Sequence, residues 1–115
     1  MIKDTLFLLA PGFMDESRRE YCPECAEVWG LLSYFPAIKE GLDFSYQAIA
    51  KPREDLVGLL GEQNQNCPTL VLHPDSPFFD DCGIQTIGAR TFIDNARDIG
   101  CYYARRYGTP FPRGS

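Results

Sequence analysis

Two cysteines separated by two residues form the most reactive pattern in the sequence. Cys22 and Cys25 make a Cys-x-x-Cys motif in the stretch CPEC, and Pro23 follows the first of them. Proline is favoured at the first position of a helix, so the motif is predicted to lie at a helix start. The free N–H groups and the dipole of a first turn stabilise negative charge, and the nucleophilic form of cysteine is the thiolate. The motif therefore indicates a redox pair, half of a metal site, or two buried thiols without chemistry.

Three further cysteines and a single histidine are additional candidates for metal ligands. Cys67 stands directly before Pro68, and it is a candidate third sulfur ligand beside the motif. Structural zinc takes four ligands, and the fourth would come from Cys82 or His73. The spacing does not match a zinc ribbon. For Cys82 and Cys101 we favour a role as small buried side chains, which is the usual state of a free cysteine.

Charge and composition exclude several classes of function. The 115 residues carry a net charge of −5, whereas binding to nucleic acid rests on a basic surface. We therefore predict no nucleic-acid partner and no membrane partner. One histidine, no glycine-flanked serine and no glycine-rich phosphate loop give little support to a hydrolase triad or a nucleotide site.

The N-terminal stretch of the sequence is informative about the cellular compartment of the protein. The stretch MIKDTLFLLAPGF contains an apolar run of only six residues. That run is too short for a membrane-spanning helix and lacks the features of a signal peptide. We predict a buried strand in a cytoplasmic protein, where structural disulfides are rare and a Cys-x-x-Cys motif is catalytic or metal-binding.

The spacing of apolar residues predicts the order strand, helix, strand, helix, strand, strand, helix in one domain, residues 1–115. The strands are predicted at residues 5–10, 42–49, 69–72 and 89–93. Residues 11–21 and 74–88 are predicted to be irregular. The right-handed crossover rule makes the first two strands parallel neighbours, and the alternation indicates a sheet covered by helices.

Three motifs in chain order carry a resemblance to the thioredoxin superfamily, in the minimal form shared by glutaredoxins and the N-terminal domains of glutathione transferases. CPEC is similar to the Cys-Pro-x-Cys of glutaredoxins, and NCPTLVL resembles the strand that follows a cis-proline facing the active cysteines. TFIDNARDIGCYYARRYG is similar to the last strand and helix of glutathione transferases. The whole chain also looks like a bacterial family of thioredoxin-like proteins that offers a fold but no settled activity.

The resemblance implies an α/β fold of thioredoxin-like type, βαβαββα, with a four-stranded mixed sheet and three helices. It implies a thiol–disulfide oxidoreductase in which Cys22 attacks a disulfide and Cys25 resolves the mixed disulfide. Pro68 would be cis, and the backbone of Cys67 would pair with the bound peptide or glutathione.

The implied substrate is a protein disulfide, with glutathione as an alternative co-substrate. The γ-glutamyl end of glutathione would lie at the helix start formed by Asp94 and Asn95. The implied substrate-binding set is Pro23, Cys67, Pro68, Asp94 and Asn95.

Two alternatives belong to a different class of function. A non-enzymatic thioredoxin-like module would bind zinc or an iron–sulfur cluster through Cys22, Cys25 and Cys67. A protein-interaction module would instead use the long loop before the motif. The aromatic group at the C-terminal end is either core or the surface of a homodimer, and its members are Tyr102, Tyr103, Tyr107 and Phe111. Within this group we expect Tyr103 and Tyr107 to lie in the core.

Overall fold

The computed structural model describes residues 2–114, which form a mixed α/β structure. In that part of the chain the elements run in the order β1 (Asp4–Leu9), β2 (Phe13–Asp15), β3 (Arg18–Glu20), α1 (Pro23–Tyr34), a 3-10 helix (Pro36–Gly41), β4 (Leu42–Gln47), α2 (Glu54–Leu60), β5 (Thr69–Val71), β6 (Gln85–Ile87), β7 (Arg90–Ile93) and α3 (Ala96–Tyr107). The alternation of strands and helices predicted from the sequence is therefore present, with three additional short strands.

A mixed sheet forms the centre of the molecule. Its strands lie in the order β4-β1-β5-β7-β6. β1 and β4 are parallel neighbours, as the crossover rule predicts, whereas β5, β7 and β6 pair antiparallel. The run Leu6–Leu9 of β1 is buried throughout, which fits a strand with neighbours on both edges and cover on both faces.

The predicted count of four strands in this sheet is wrong, because β6 adds a fifth. β6 and β7 form a hairpin in which Ile87 pairs with Arg90, so that Gly88 and Ala89 make a two-residue turn. Gly88 has a φ of +58°, which suits the first central position of a type II′ turn. The segment 74–88 is thus irregular only up to β6, and this Gly-x pair between two strands was the signal for the hairpin.

A second hairpin, β2–β3, lies inside the segment predicted to be a polar loop. Glu16 and Ser17 connect its strands with φ values of +49° and +69°. A turn with positive φ at both positions is usually built from Asn-Gly or Asp-Gly. The sequence Glu-Ser does not signal it, which is why this segment was expected to be irregular.

The helices bury their apolar faces against the sheet and against one another. α1 contributes Cys25, Val28 and Leu32 to the core, and α3 contributes Tyr102 and Tyr103. The other two members of the aromatic group, Tyr107 and Phe111, are exposed, so the expected core position of Tyr107 is wrong. No helix within residues 2–114 is long and apolar enough to cross a membrane.

Candidate functional site

Cys22 is the N-terminal cap of α1. Its backbone is extended, with φ −82° and ψ 113°, and Pro23 occupies the first turn, as the sequence predicts. The N–H of Cys25 donates to the Cys22 sulfur at 3.3 Å. The sulfur therefore lies where the unpaired N–H groups and the positive end of the helix dipole favour a negative charge.

Cys25 lies one turn further into α1 and has very different surroundings. Its side chain is 5% exposed, whereas that of Cys22 is half-buried. The N–H of Leu9, the last residue of β1, donates to the Cys25 sulfur at 3.5 Å. Burial raises the pKa of the Cys25 thiol to about 12, with a smaller opposing effect from the Leu9 N–H and a raising effect from Cys22. Cys25 is therefore a neutral thiol at physiological pH.

The loop before β5 brings Cys67 against the motif. The Cys22 thiol points at the carbonyl oxygen of Cys67 over 3.9 Å, and the Cys67–Pro68 peptide bond is cis, as the resemblance implied. Both Cys67 and Pro68 are buried. Burial raises the pKa of the Cys67 thiol to about 11, against an opposing effect of the Arg53 guanidinium. The Cys22 sulfur thus lies between the first turn of α1 and the backbone carbonyl of Cys67.

Asp94 and Asn95 lie at the start of α3, and the structure gives Asn95 a capping role. Its Oδ1 accepts from the N–H of Asp98 at 2.9 Å, and its Nδ2 donates to the Asp98 carboxylate at 2.8 Å. The carbonyl of Asp94 accepts from Asn66 Nδ2 at 2.6 Å. Because Asn66 directly precedes Cys67, this bond joins the start of α3 to the loop that carries Cys67 and Pro68.

An apolar groove of about 270 Å³ opens beside Cys22 and Cys25. Tyr21 and Tyr46 stand at its edge with 63% and 48% of their surface exposed. Trp29 forms part of its wall and stacks on Phe44, with the ring centroids 5.1 Å apart. These aromatic side chains are not among the site residues predicted from the sequence, although Tyr21 directly precedes the motif and Trp29 lies one turn after Cys25.

The arrangement does not fit a metal centre. Within residues 2–114, no three Cys, His, Asp or Glu side chains are grouped so as to hold a metal ion. Both expected fourth ligands are engaged elsewhere, since the Cys82 sulfur contacts the Cys101 sulfur and the His73 Nδ1 accepts from the N–H of Asp75. The alternative of a zinc or iron–sulfur site at Cys22, Cys25 and Cys67 therefore finds no matching group of ligands among residues 2–114.

Comparison with known proteins identifies the family of the chain but no reaction that it catalyses. Residues 3–111 match the model of a family described as "Protein of unknown function (DUF3088)". No curated protein and no solved structure matches the sequence. The arrangement of side chains is thus the basis on which a function is inferred.

Proposed function

We propose that this chain, which belongs to the DUF3088 family, is a thiol–disulfide oxidoreductase with a thioredoxin-like fold. The observation that carries the proposal is the unequal placement of two sulfurs at one helix start. Cys22 is half-buried and accepts the N–H of Cys25, whereas Cys25 is buried behind it. An accessible nucleophile backed by a protected second thiol is what two-step disulfide exchange requires.

The reaction proceeds through two exchanges. The Cys22 thiolate attacks one sulfur of a substrate disulfide, forms a bond to it, and releases the other sulfur as a thiolate that takes up a proton. Cys25 then loses its proton to solvent or to the released thiolate, attacks the Cys22 sulfur, and expels the second substrate thiol. The substrate gains two electrons and two protons, and the protein is left with a Cys22–Cys25 disulfide. A cytoplasmic dithiol reductant restores the starting state.

The surroundings of Cys22 favour a peptide disulfide as the substrate. Tyr21 and Tyr46 offer exposed aromatic surface beside the sulfur, and such surface suits an apolar side chain next to a substrate cysteine. On the other side, the backbone of Cys67 and the ring of Pro68 would align the peptide chain, as in strand addition.

Glutathione is the less favoured substrate. Its γ-glutamyl end would have to bind at Asp94 and Asn95, but the Asn95 amide is already used to cap α3. The Asp98 carboxylate accepts from that same amide, so it places a further negative charge at the start of the helix. Because the γ-glutamyl end carries an ammonium group as well as a carboxylate, that charge does not decide the binding, and glutathione is disfavoured by the engaged Asn95 amide.

The thioredoxin-like fold is part of the same proposal. Its support is the mixed character of the sheet, in which β1 and β4 are parallel across α1 whereas β5 and β7 are antiparallel and lead into α3. This agrees with the βαβαββα order implied by the resemblance, if β2, β3 and β6 are additions.

The experiment is a rate measurement on a disulfide-linked peptide with dithiothreitol as the reductant. The parent protein should accelerate the reduction, and Cys22→Ser should lower the rate to that of dithiothreitol alone. Cys101→Ser is the matched control, because it removes another partly buried thiol that lies outside the groove, and it should keep the parent rate. Reduction by Cys22→Ser at the parent rate would refute the proposal.

A further inference from the structure

Two cysteines outside the candidate active site lie in direct contact. The sulfurs of Cys82 and Cys101 are 2.9 Å apart, which is within about 1 Å of a disulfide bond length. Cys82 belongs to the segment between β5 and β6, and Cys101 lies in α3. Cys82 is fully buried, whereas Cys101 is half-buried and can meet a small molecule from solvent.

The segment that carries Cys82 is already docked on α3. The Tyr102 hydroxyl donates to the carbonyl of Pro77 at 2.8 Å, and the ring of Phe79 packs on Tyr102 with centroids 5.6 Å apart. Arg105 forms an ion pair with Asp81. These contacts, made by α3 residues that follow Cys101, hold the segment on the helix without a covalent bond. With the two sulfurs already 2.9 Å apart, closing the bond requires little movement of either backbone.

We propose that Cys82 and Cys101 form a second redox site, a dithiol that closes to an intramolecular disulfide when the protein meets a low-molecular-weight disulfide. This site is independent of Cys22 and Cys25. Its product is a covalent link between the segment 74–84 and α3.

The exposure of the two thiols sets the order of events. Cys101, as the thiolate, attacks the small disulfide, forms a mixed disulfide and releases one small thiol. Cys82 then gives up its proton, attacks the Cys101 sulfur and releases the second small thiol. Two protein thiols lose two electrons and two protons, and one small disulfide becomes two thiols.

The surroundings of Cys82 agree with its role as the closing thiol. Burial, together with the neighbouring Cys101 thiol and the Asp81 carboxylate, raises the pKa of the Cys82 thiol to about 12. Its thiol also points at the Asp81 carboxylate over 3.6 Å. Cys82 therefore stays protonated until the adjacent sulfur carries a leaving group, and its high effective concentration drives the second step.

The test uses Cys22→Ser/Cys25→Ser, so that its result does not depend on the proposed oxidoreductase. This protein is treated with excess oxidised glutathione to constant mass, then unfolded, alkylated and mapped by mass spectrometry. We expect the loss of two hydrogens, a peptide pair joined through Cys82 and Cys101, and an alkylated Cys67. Alkylation of both Cys82 and Cys101, or a glutathione adduct that persists on Cys101, would overturn the proposal.

A stability measurement supplies the second readout. Because a cross-link restricts the unfolded chain, oxidation should raise the urea midpoint of Cys22→Ser/Cys25→Ser. The same treatment should leave the midpoint unchanged when Cys101→Ser is added, and adding Cys67→Ala instead should preserve the increase. An equal midpoint for the reduced and oxidised proteins would contradict a disulfide at this position.

Discussion

Cys22 and Cys25 carry the same side chain but lie in different surroundings. Cys22 faces the groove and receives an N–H from the first turn of α1, whereas Cys25 is closed in by β1. A buried thiol with a raised pKa is protected from random oxidation until the neighbouring sulfur becomes an electrophile. In the proposed reaction, Cys22 therefore attacks the substrate disulfide and Cys25 resolves the mixed disulfide.

The raised pKa values at the site predict a loss of stability at high pH. The folded pKa of Cys67 is about 11, against an ordinary value of 9.0. Between these pH values the unfolded chain ionises this thiol while the folded protein keeps it neutral, so stability present below pH 9 is lost as the pH rises towards 11. Under reducing conditions, urea titrations from pH 8 to 11 should show a smaller pH dependence for Cys67→Ala than for the parent. Parallel profiles would contradict this assignment.

The groove predicts a role for Tyr21 in substrate binding. Tyr21→Ala should raise KM for a peptide disulfide about fivefold, since it removes about 1 kcal/mol of apolar contact. It should leave the rate with a small disulfide such as oxidised glutathione unchanged. Tyr34→Ala is the control, because Tyr34 is also exposed but does not line this groove. Equal effects of Tyr21→Ala on both substrates would show that the groove does not bind the peptide.

The buried carboxylate of Asp4 accepts hydrogen bonds from several parts of the chain. It is 1% exposed and accepts from Arg106 at 2.8 Å, Tyr103 at 3.0 Å, Ser76 at 2.6 Å and the His73 N–H at 2.8 Å. The carboxylate thus ties β1 to α3 and to the segment after β5. Removing Arg106 would leave the buried carboxylate with three hydrogen-bond donors but without a cationic partner.

Arg106→Met should therefore lower the free energy of unfolding by about 3–5 kcal/mol. Its neighbour Arg105 provides the matched control, because the Arg105–Asp81 pair is exposed and Arg105→Met should cost only about 0–1 kcal/mol. Urea denaturation of both variants measures the difference. Similar losses for the two variants would show that Asp4 does not depend on Arg106.

At the scale of elements, the close contact between the segment after β5 and α3 predicts the effect of a glycine substitution. Gly83 has a φ of +65°, and a β-carbon there would collide with the Asp98 carboxylate. Gly88 has a φ of +58° but open space around it. Gly88→Ala should cost about 1–2 kcal/mol from backbone conformation alone, and Gly83→Ala should cost more. Urea midpoints compare the two, and an equal cost would mean that the segment does not pack tightly on α3.

The order of the main elements could be predicted from the sequence, because apolar spacing and Pro and Gly positions mark them. The helix start at Pro23 and the cap at Asn95 follow from local residue preferences. The hairpin turn at Glu16 and Ser17 could not be predicted, since its positive φ values are imposed without a residue type that signals them. The contact between Cys82 and Cys101 joins residues from different elements, so only the tertiary packing shows it.

At the scale of the whole molecule, the candidate site lies at the carboxyl end of β1, which lies between β4 and β5 in the sheet. Leu9 ends β1 and contacts Cys25, and the Cys67–Pro68 loop closes the site from the neighbouring strand β5. In open α/β sheets, ligands bind outside the carboxyl ends of strands. The second thiol pair joins α3 to the segment between β5 and β6. The molecule thus has one thiol pair beside a groove and a second thiol pair at the contact between two packed elements.

The most direct measurement of the central claim is the mass of Cys25→Ser after mixing with a disulfide-linked peptide. Without the resolving thiol, the first exchange should stop at the mixed disulfide. We expect Cys25→Ser to carry a covalent adduct of one peptide half, mapped to Cys22 and released by dithiothreitol. Cys22→Ser should carry no such adduct at this position. An unmodified Cys22 under conditions in which the parent protein reduces the same peptide would contradict the account.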